Sequence, residues 1–439
     1  MLLKRKLRSP KIDRSWDKRS AISYHFYAGF SPEFVRDVVN SLNINRDAVI
    51  LDPWNGSGTT TQVAKLMGYS AIGFDVNPVM VIVAKARLLN CTSLVRKKIS
   101  ENLEILIRMA YGFHADRFLD KDPLESWLEP ESATCFRNIE RAIQLLLVND
   151  EYNSIFNCIY ANKNLAHISE MASFFYLALF KTLRRFLASL VSSNPTWIKI
   201  PSTEKTRIHP TSEEIYSEFK NQVHKTIDLV NFENIGNEND NSVSIKIECA
   251  SSKSIPLPNS SIDLVVSSPP YCTRIDYAIA TSPELALLGC SMRGDIRDLR
   301  DRMIGTPTIT NKVPNTKSEW GQTCASFLKG VETHNSKASK SYYHRYHIQY
   351  FDAIYKSLLE IDRILSKSGK CVIVVQDSYY KDIHNDLPNI FCEMADSLEW
   401  ISLDRFDFDI KRTMAGRNIR AKKYRTDSTA IESVLIFKK

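Results

Sequence analysis

A serine, two prolines and a tyrosine end an apolar segment in the second half of the chain. Residues 264–267 read LVVS, and Ser268, Pro269, Pro270 and Tyr271 follow directly. Two prolines remove two backbone donors and fix two φ angles, so the chain must leave a sheet there in a stiff, extended form. One interpretation is a strand-ending loop. The other is a rigid clamp whose carbonyl oxygens and aromatic ring face a ligand.

A second polar turn joins the strand-like AVILD (48–52) to the helical TTTQVAKLMG. Its candidate ligand-facing residues are Asp52, Pro53, Gly56, Ser57, Gly58 and Thr59. Two glycines permit close backbone approach and positive φ, and the N–H groups at a helix start suit an anionic ligand group. Asp75 ends the next strand about twenty residues later, where a carboxylate can accept hydrogen bonds from a ribose diol. Alternatively, both aspartates cap the helices that follow them. Together these features favour a nucleoside-type ligand.

The elements around the two turns predict an α/β sheet. The strand-like segments are 48–52, 70–75, 243–248, 262–267, 370–377, 400–409 and 430–438. The first strands are apolar throughout rather than alternating, which indicates parallel strands covered on both faces. From about 98 to 192 the chain is helical in character, whereas 291–345 is polar, rich in Ser, Thr and Lys, and predicted to be irregular.

Composition limits the class of protein. The chain has 439 residues, 44% of them hydrophobic and 25% charged, as in ordinary globular proteins. It contains no run of eighteen uncharged apolar residues and no apolar signal core near its start, so we expect a cytoplasmic protein without a membrane span. Nine cysteines with no CxxC pair argue against a zinc site, and we expect no metal. The net charge of +8 includes basic segments at 1–19 and 410–426, which leaves nucleic-acid binding open.

Three motifs together resemble a known family. DPWNGSGTT, GFDVNP and SSPPY look like those of the DNA amino-methyltransferases, which use S-adenosylmethionine to methylate the exocyclic nitrogen of cytosine or adenine. YHFYAGFSPEFV (24–35) is similar to the family's segment before the glycine turn. The resemblance covers 20–90 and 243–439, leaving a basic arm at 1–19 and a mostly helical insertion at 91–242. It implies a Rossmann-like α/β fold with a seven-stranded methyltransferase sheet.

In that fold the first and fourth strands are neighbours where strand order reverses, so both turns would meet across one cleft. By resemblance, Asp52, Gly56 and Gly58 surround the methionine part of S-adenosylmethionine, together with the adjoining turn residues, and Asp75 binds the ribose hydroxyls. Tyr27 and Phe30 would help to close this pocket. Ser251 stands about where the family often has an acidic residue near the adenine, which is a departure from the family's pattern.

The expected chemistry is methyl transfer to an amine. An exocyclic amine is a poor nucleophile because its lone pair is delocalised into the ring. Hydrogen bonds to a Ser268 oxygen and the Pro269 carbonyl would favour a pyramidal nitrogen, Tyr271 would stack on the base, and placement would supply much of the rate. The target base must be flipped out or already single-stranded. By resemblance, serine at position 268 favours cytosine N4, whereas aspartate there is commoner for adenine N6.

Basic residues outside the clamp are candidates for DNA contact. Arg274 could contact the flipped base or phosphates, or form an internal ion pair. Residues 291–345 hold ten basic against five acidic residues, among them Arg297, Arg300 and Lys312, and form a candidate DNA-recognition loop. The C-terminal run would add phosphate contacts from Lys411, Arg412, Arg417 and Arg420.

Other functions are open at this stage. An RNA base methyltransferase and a cofactor-binding but catalytically silent DNA-binding subunit are the alternatives. An oxidoreductase is disfavoured because the turn is not GxGxxG and the prolines would have no role. The resemblance implies a bacterial modification or defence setting, with a cognate nuclease or defence-system subunit as a possible partner.

Overall fold

Seven strands form one mixed sheet whose order reverses in the middle. The computed structural model describes residues 7–11, 29, 31–113, 121–148, 165, 168–192, 197–233, 243–273, 275–310, 313–410 and 430–439. The sheet strands are β1 (Val49–Asp52), β2 (Ser70–Asp75), β3 (Ile245–Cys249), β4 (Ile262–Ser267), β5 (Leu365–Gln376), β8 (Ile401–Ile410) and β9 (Ala430–Lys438). Their order is β3-β2-β1-β4-β5-β9-β8. The predicted seven-stranded α/β sheet is confirmed.

Strands β1 to β5 run parallel, and β9 is antiparallel to both β5 and β8. Strand order reverses between β1 and β4, where Leu51 pairs with Val265. The residues of β4 do not alternate between buried and exposed but are almost all buried, as expected for a parallel strand covered on both faces. The two short strands β6 (Ser378–Tyr380) and β7 (Ile383–Asn385) form a separate hairpin.

Thirteen α-helices lie within the described ranges. They are α1 (Pro32–Leu42), α2 (Thr59–Leu66), α3 (Pro78–Arg87), α4 (Ser93–Gly112), α5 (Pro130–Leu147), α6 (Glu170–Phe186), α7 (Ser212–Glu233), α8 (Tyr277–Ala280), α9 (Ser282–Leu287), α10 (Asp295–Arg302), α11 (Gly321–Thr333), α12 (His344–Ile364) and α13 (Leu387–Asp396). The start of α3 is set locally, because the Asn77 side chain accepts from the Val79 N–H and Pro78 occupies the first turn. None of the described helices is long and apolar enough to cross a bilayer.

The helices of the 91–242 insertion pack against the sheet and its flanking helices rather than standing apart. Helices α4 to α7 share one hydrophobic core with α3, α9 and α10, to which α6 contributes Phe174, Phe175 and Leu179. A second core lies around α11, α12 and α13, and a third lies between the sheet and α1 and α2. The insertion therefore reaches the elements that border the two turns.

The prediction that 291–345 is an irregular loop is wrong. This segment contains α10, α11 and the π-helical turn Ser339–Tyr343. In α11 the buried residues are Cys324, Phe327, Leu328 and Val331, at the three- and four-residue spacing of one helix face. The polar residues cover the other faces, so overall polarity concealed a helical period.

Candidate functional site

The two turns open into one cleft at the carboxyl edge of the sheet, where strand order reverses. The lining residues are Pro53, Trp54, Asp75, Val76, Asn77, Met80, Ala250, Ser251, Ser252, Ser268, Pro269, Pro270, Tyr277, Arg302, Met303 and Ile304. The structure thus brings Asp75, Ser251 and the first three clamp residues together.

Asp52 joins the two turns from inside the sheet. Its buried carboxylate accepts hydrogen bonds from Thr60 Oγ1 at 2.7 Å, from the Trp54 N–H at 3.1 Å and from the Ser267 hydroxyl. Ser267 is 215 positions away along the chain, immediately before the clamp. Burial raises the pKa of Asp52 to about 6. Asp52 does not line the cleft, so its position indicates a connector between β1, β4 and α2.

The glycine turn has the conformation that its residues predict. Gly56 and Gly58 have φ of 48° and 84°, in the left-handed region. At Gly58 a Cβ would lie 2.7 Å from the Ala84 Cβ, so α2 packs closely on α3 there. The glycines therefore serve the turn and the helix contact, and Pro53 and Trp54 are the turn residues that line the cleft.

Arg87 holds the glycine turn, and sequence analysis missed it. This buried guanidinium donates to the Ser57 carbonyl at 3.0 Å, the Ser57 hydroxyl at 3.2 Å, Thr59 Oγ1 at 3.4 Å and Gln62 Oε1 at 2.6 Å. The side chains of Ser57 and Thr59, predicted to contact the cofactor, are thus directed to Arg87. An arginine at the end of the mostly apolar NPVMVIVAKAR was the available signal.

Asp75 retains capacity for a ligand. Its carboxylate accepts from the Gly56 N–H at 3.0 Å and the Asn77 N–H at 2.8 Å, and it lines the cleft. Because the Asn77 side chain caps α3, Asp75 is not that helix's cap. An ionised carboxylate offers about four acceptor positions, so two N–H donors leave room for hydroxyl groups. Burial raises the pKa of Asp75 to about 6.

The clamp is held by bonds from two directions. Ser268 Oγ donates to the Val374 carbonyl at 3.0 Å, which leaves its lone pairs as acceptors. The Tyr350 hydroxyl of α12 donates to the Pro270 carbonyl at 2.9 Å. At Gly305 a Cβ would stand 3.0 Å from the Tyr271 carbonyl oxygen, so the chain after α10 also packs tightly on the clamp. Tyr271 itself is half-buried and lies beside the cleft rather than among its lining residues.

The insertion braces the segment that follows the clamp. Arg184 of α6 donates to the buried Glu284 carboxylate at 2.6 Å and to the Ala280 carbonyl. Arg137 of α5 donates to the Leu287 carbonyl at 2.6 Å. Both arginines therefore tie helices of the insertion to α8 and α9, immediately after the clamp. The insertion supports the position of this wall of the cleft.

The predicted DNA-contacting residues fall into two groups. Arg297 is exposed on α10, whereas Arg300 on the same helix pairs with the buried Asp276 carboxylate at 2.7 Å. The Asp276 carboxylate, which follows the clamp, is therefore paired with Arg300. Several residues lie outside the described residues: Tyr27, Phe30, Arg274, Lys312, Lys411, Arg412, Arg417 and Arg420.

Sequence analysis did not select several lining residues, among them Asn77, Met80 and Ser252. Asn77 was visible within GFDVNP, whereas Arg302, the last residue of α10, lines the cleft because of the tertiary fold. Among the described residues no cluster of three or more His, Cys, Asp or Glu could hold a metal ion.

Comparisons with known proteins add independent information. The sequence model of the N6_N4_Mtase family, described as DNA methylase, matches residues 4–86. The Type II methyltransferase M.BsoBI of Geobacillus stearothermophilus is 25% identical over 324 residues, covering 70% of this chain and 59% of that relative. The Type II methyltransferases M.AvaI of Nostoc sp. (strain PCC 7120) and of Anabaena variabilis are each 43% identical over 58 residues, which is 13% of this chain and 12% of each relative. The chain thus spans about three fifths of the first relative's length and a much smaller part of the other two.

Proposed function

Because this chain belongs to the family of DNA amino-methyltransferases, we propose that it transfers a methyl group from S-adenosylmethionine to the exocyclic amine of a flipped base in DNA. One observation carries the proposal. A carboxylate with remaining acceptor capacity, Asp75, and the acceptor-rich clamp at Ser268 line the same cleft. Such a cleft can hold a nucleoside-type donor and present an amine to it.

The chemistry of the lining fits S-adenosylmethionine. Asp75 would accept from the ribose hydroxyls, Val76, Met80 and Ile304 offer apolar surface, and Ser251 offers a hydroxyl group. When bound, the cofactor supplies an electrophilic methyl group on a positively charged sulfur. The glycine turn would contact the cofactor through its backbone, since its Ser57 and Thr59 hydroxyls are directed to Arg87.

At the clamp, the chain's own residues prepare the nucleophile. The Ser268 hydroxyl donates a hydrogen bond to the Val374 carbonyl, so toward the cleft it acts as an acceptor for an amine N–H. The Pro269 carbonyl would accept the second N–H. Both bonds favour a pyramidal nitrogen whose lone pair is available. Tyr350 holds the Pro270 carbonyl and so keeps the clamp in register.

Cytosine N4 is the proposed target atom. This choice depends on serine at position 268, where the resembling family has aspartate more often for adenine N6. The relatives carry the name Type II methyltransferase. On that similarity we propose that this chain works in the cytoplasm as the DNA-methylating component of a restriction–modification system, with a cognate nuclease as partner.

The test is product analysis. Purified protein is incubated with S-adenosylmethionine and unmethylated duplex DNA, and the DNA is digested to nucleosides and analysed by mass. We expect N4-methylcytosine. N6-methyladenine would retain the enzyme class and refute the serine argument. Cofactor binding without any methylated DNA would refute DNA methylation by this chain alone, and parallel incubation with RNA would identify an RNA substrate. Ser268→Ala is the matched variant, which should bind cofactor normally and methylate slowly.

A further inference from the structure

A buried carboxyl group lies beside the clamp and has no place in the mechanism above. Glu432 is on β9 at the edge of the sheet where the clamp emerges, opposite Gln376 of β5. It is 6% exposed, and its Oε2 atom accepts no hydrogen bond from any residue that the structure describes. A buried carboxylate oxygen without a donor is costly, so its presence calls for an explanation.

Glu432 is connected to the cleft through Tyr271. The Tyr271 hydroxyl interacts with the Glu432 carboxyl and also with the Ser268 hydroxyl. Since Ser268 lines the cleft, the three groups form a continuous polar path from the cleft to β9. The path runs through a hydroxyl, a phenol and a carboxyl. The hydroxyl and the phenol can each accept one proton and release another, and the carboxyl accepts a proton when it is ionised.

The surroundings of Glu432 suit a proton acceptor. Burial raises its pKa to about 7, while nearby Lys11 and the Tyr271 hydroxyl lower the pKa from the value that burial alone would give. On the adjoining strand end, Asp377 is already engaged by the Ile431 N–H at 2.8 Å and by His384 at 2.9 Å. A proton acceptor works best when its pKa is close to the working pH.

We propose that Glu432 receives, through Tyr271 and Ser268, the proton that the target amine loses during methyl transfer. This inference rests on the proposed function. The amine nitrogen bonds to the methyl carbon of the sulfonium donor as the carbon–sulfur bond breaks, leaving a neutral thioether and a positively charged nitrogen. The nitrogen gives one proton to Ser268 Oγ, whose own proton turns from the Val374 carbonyl to the Tyr271 oxygen. The Tyr271 proton moves to the Glu432 carboxylate, which ends neutral.

Kinetics of two variants test this path. We expect the single-turnover rate constant of the wild type to rise with pH through about 7, because Glu432 must be ionised to accept a proton. Glu432→Gln should lower that constant roughly 10²-fold, the lower end of what proton transfer contributes, and abolish the pH dependence while leaving the KM for cofactor unchanged. Tyr271→Phe keeps the ring and breaks the path, so it should have the same effect. The double variant should be no slower than either single one. A normal rate and pH profile in Tyr271→Phe would overturn the proposal.

Glu140→Gln is the matched control. Glu140 is another buried carboxylate in contact with a tyrosine, since Tyr176 donates to it at 2.8 Å, but it lies within the insertion. Its replacement should change stability without altering the shape of the pH profile. A loss of the neutral-pH dependence in this control as well would show that the dependence is general to the fold, and would overturn the assignment to Glu432.

A second readout needs no activity. In protein labelled with ¹³C-glutamate and without ligand, one carboxyl resonance should titrate near pH 7, disappear in Glu432→Gln and titrate at higher pH in Tyr271→Phe. Titration of this carboxyl in the ordinary range, or no effect of Tyr271→Phe, would overturn the proposed path. If the wild type methylates no DNA yet these resonances behave as expected, the proposed function fails while the contact between Glu432 and Tyr271 stands.

Discussion

Replacing Gly58 by alanine should destabilise the protein through two separate effects. Its φ of 84° is left-handed, which costs an L-residue about 1–2 kcal/mol. A Cβ there would lie 2.7 Å from the Ala84 Cβ and 3.1 Å from its Cα. The second of these is backbone, so α3 must shift, at about 1–3 kcal/mol for overpacking. We expect the free energy of unfolding to fall by about 2–5 kcal/mol, the sum of these two ranges.

Two other glycines separate the two effects. Gly68 has a φ of 75° but meets only the Arg46 Nη1 atom at 3.7 Å, so Gly68→Ala should lose only the conformational part, about 1–2 kcal/mol. Gly112, at the end of α4, has nothing within 4 Å, and Gly112→Ala should change stability little or raise it by up to about 1 kcal/mol. Urea denaturation of the three variants measures these differences at constant m-value. Equal losses for Gly58→Ala and Gly68→Ala would refute the argument from the Ala84 contact.

Three further predictions concern the cleft and its walls. Arg300→Met should lower the free energy of unfolding by about 2–3 kcal/mol, which is less than for a fully buried ion pair because the Arg300 side chain is 29% exposed. Arg297→Met should leave the free energy of unfolding unchanged and weaken DNA binding. Equal stabilities of the two variants would contradict this distinction. Tyr350→Phe removes the hydrogen bond to the Pro270 carbonyl, so it should lower the free energy of unfolding by about 1 kcal/mol. It should also lower kcat with little change in the KM for cofactor. An unaltered kcat would show that the Pro270 carbonyl needs no support. The folded-state pKa of Asp75, about 6, lies above its ordinary 3.8, so its contribution to stability is present below pH 4 and is lost as pH rises through 6. The free energy of unfolding of Asp75→Asn, relative to that of the wild type, should therefore rise by up to about 3 kcal/mol between pH 4 and pH 6. A constant difference between the two proteins across that range would refute the pKa shift.

The strands and the two turns could be predicted because their signals are local. Apolar segments between glycines, prolines and polar turns mark β1, β2 and β4, and parallel strands require crossovers that place their carboxyl ends at one edge. Asp75 and Ser268 therefore lie on one cleft, as expected from the order of elements. The prediction of an irregular loop at 291–345 was wrong because the helices there bury only a few apolar residues among many polar ones.

The side-chain pairings around the cleft depend on packing between distant segments. Arg87 reaches Ser57 because α3 lies against the glycine turn, and Arg300 reaches Asp276 because α10 folds back beside the clamp. Glu432 meets Tyr271 only because the antiparallel β9 inserts between β5 and β8 and carries its first residues to the carboxyl edge. Residue types and their spacing specify which elements form and where a cleft must open, since those depend on local conformation and chain handedness. Which buried charges meet there is decided by three-dimensional packing, because a charge withdrawn from water is stabilised only by the partner that the fold brings to it.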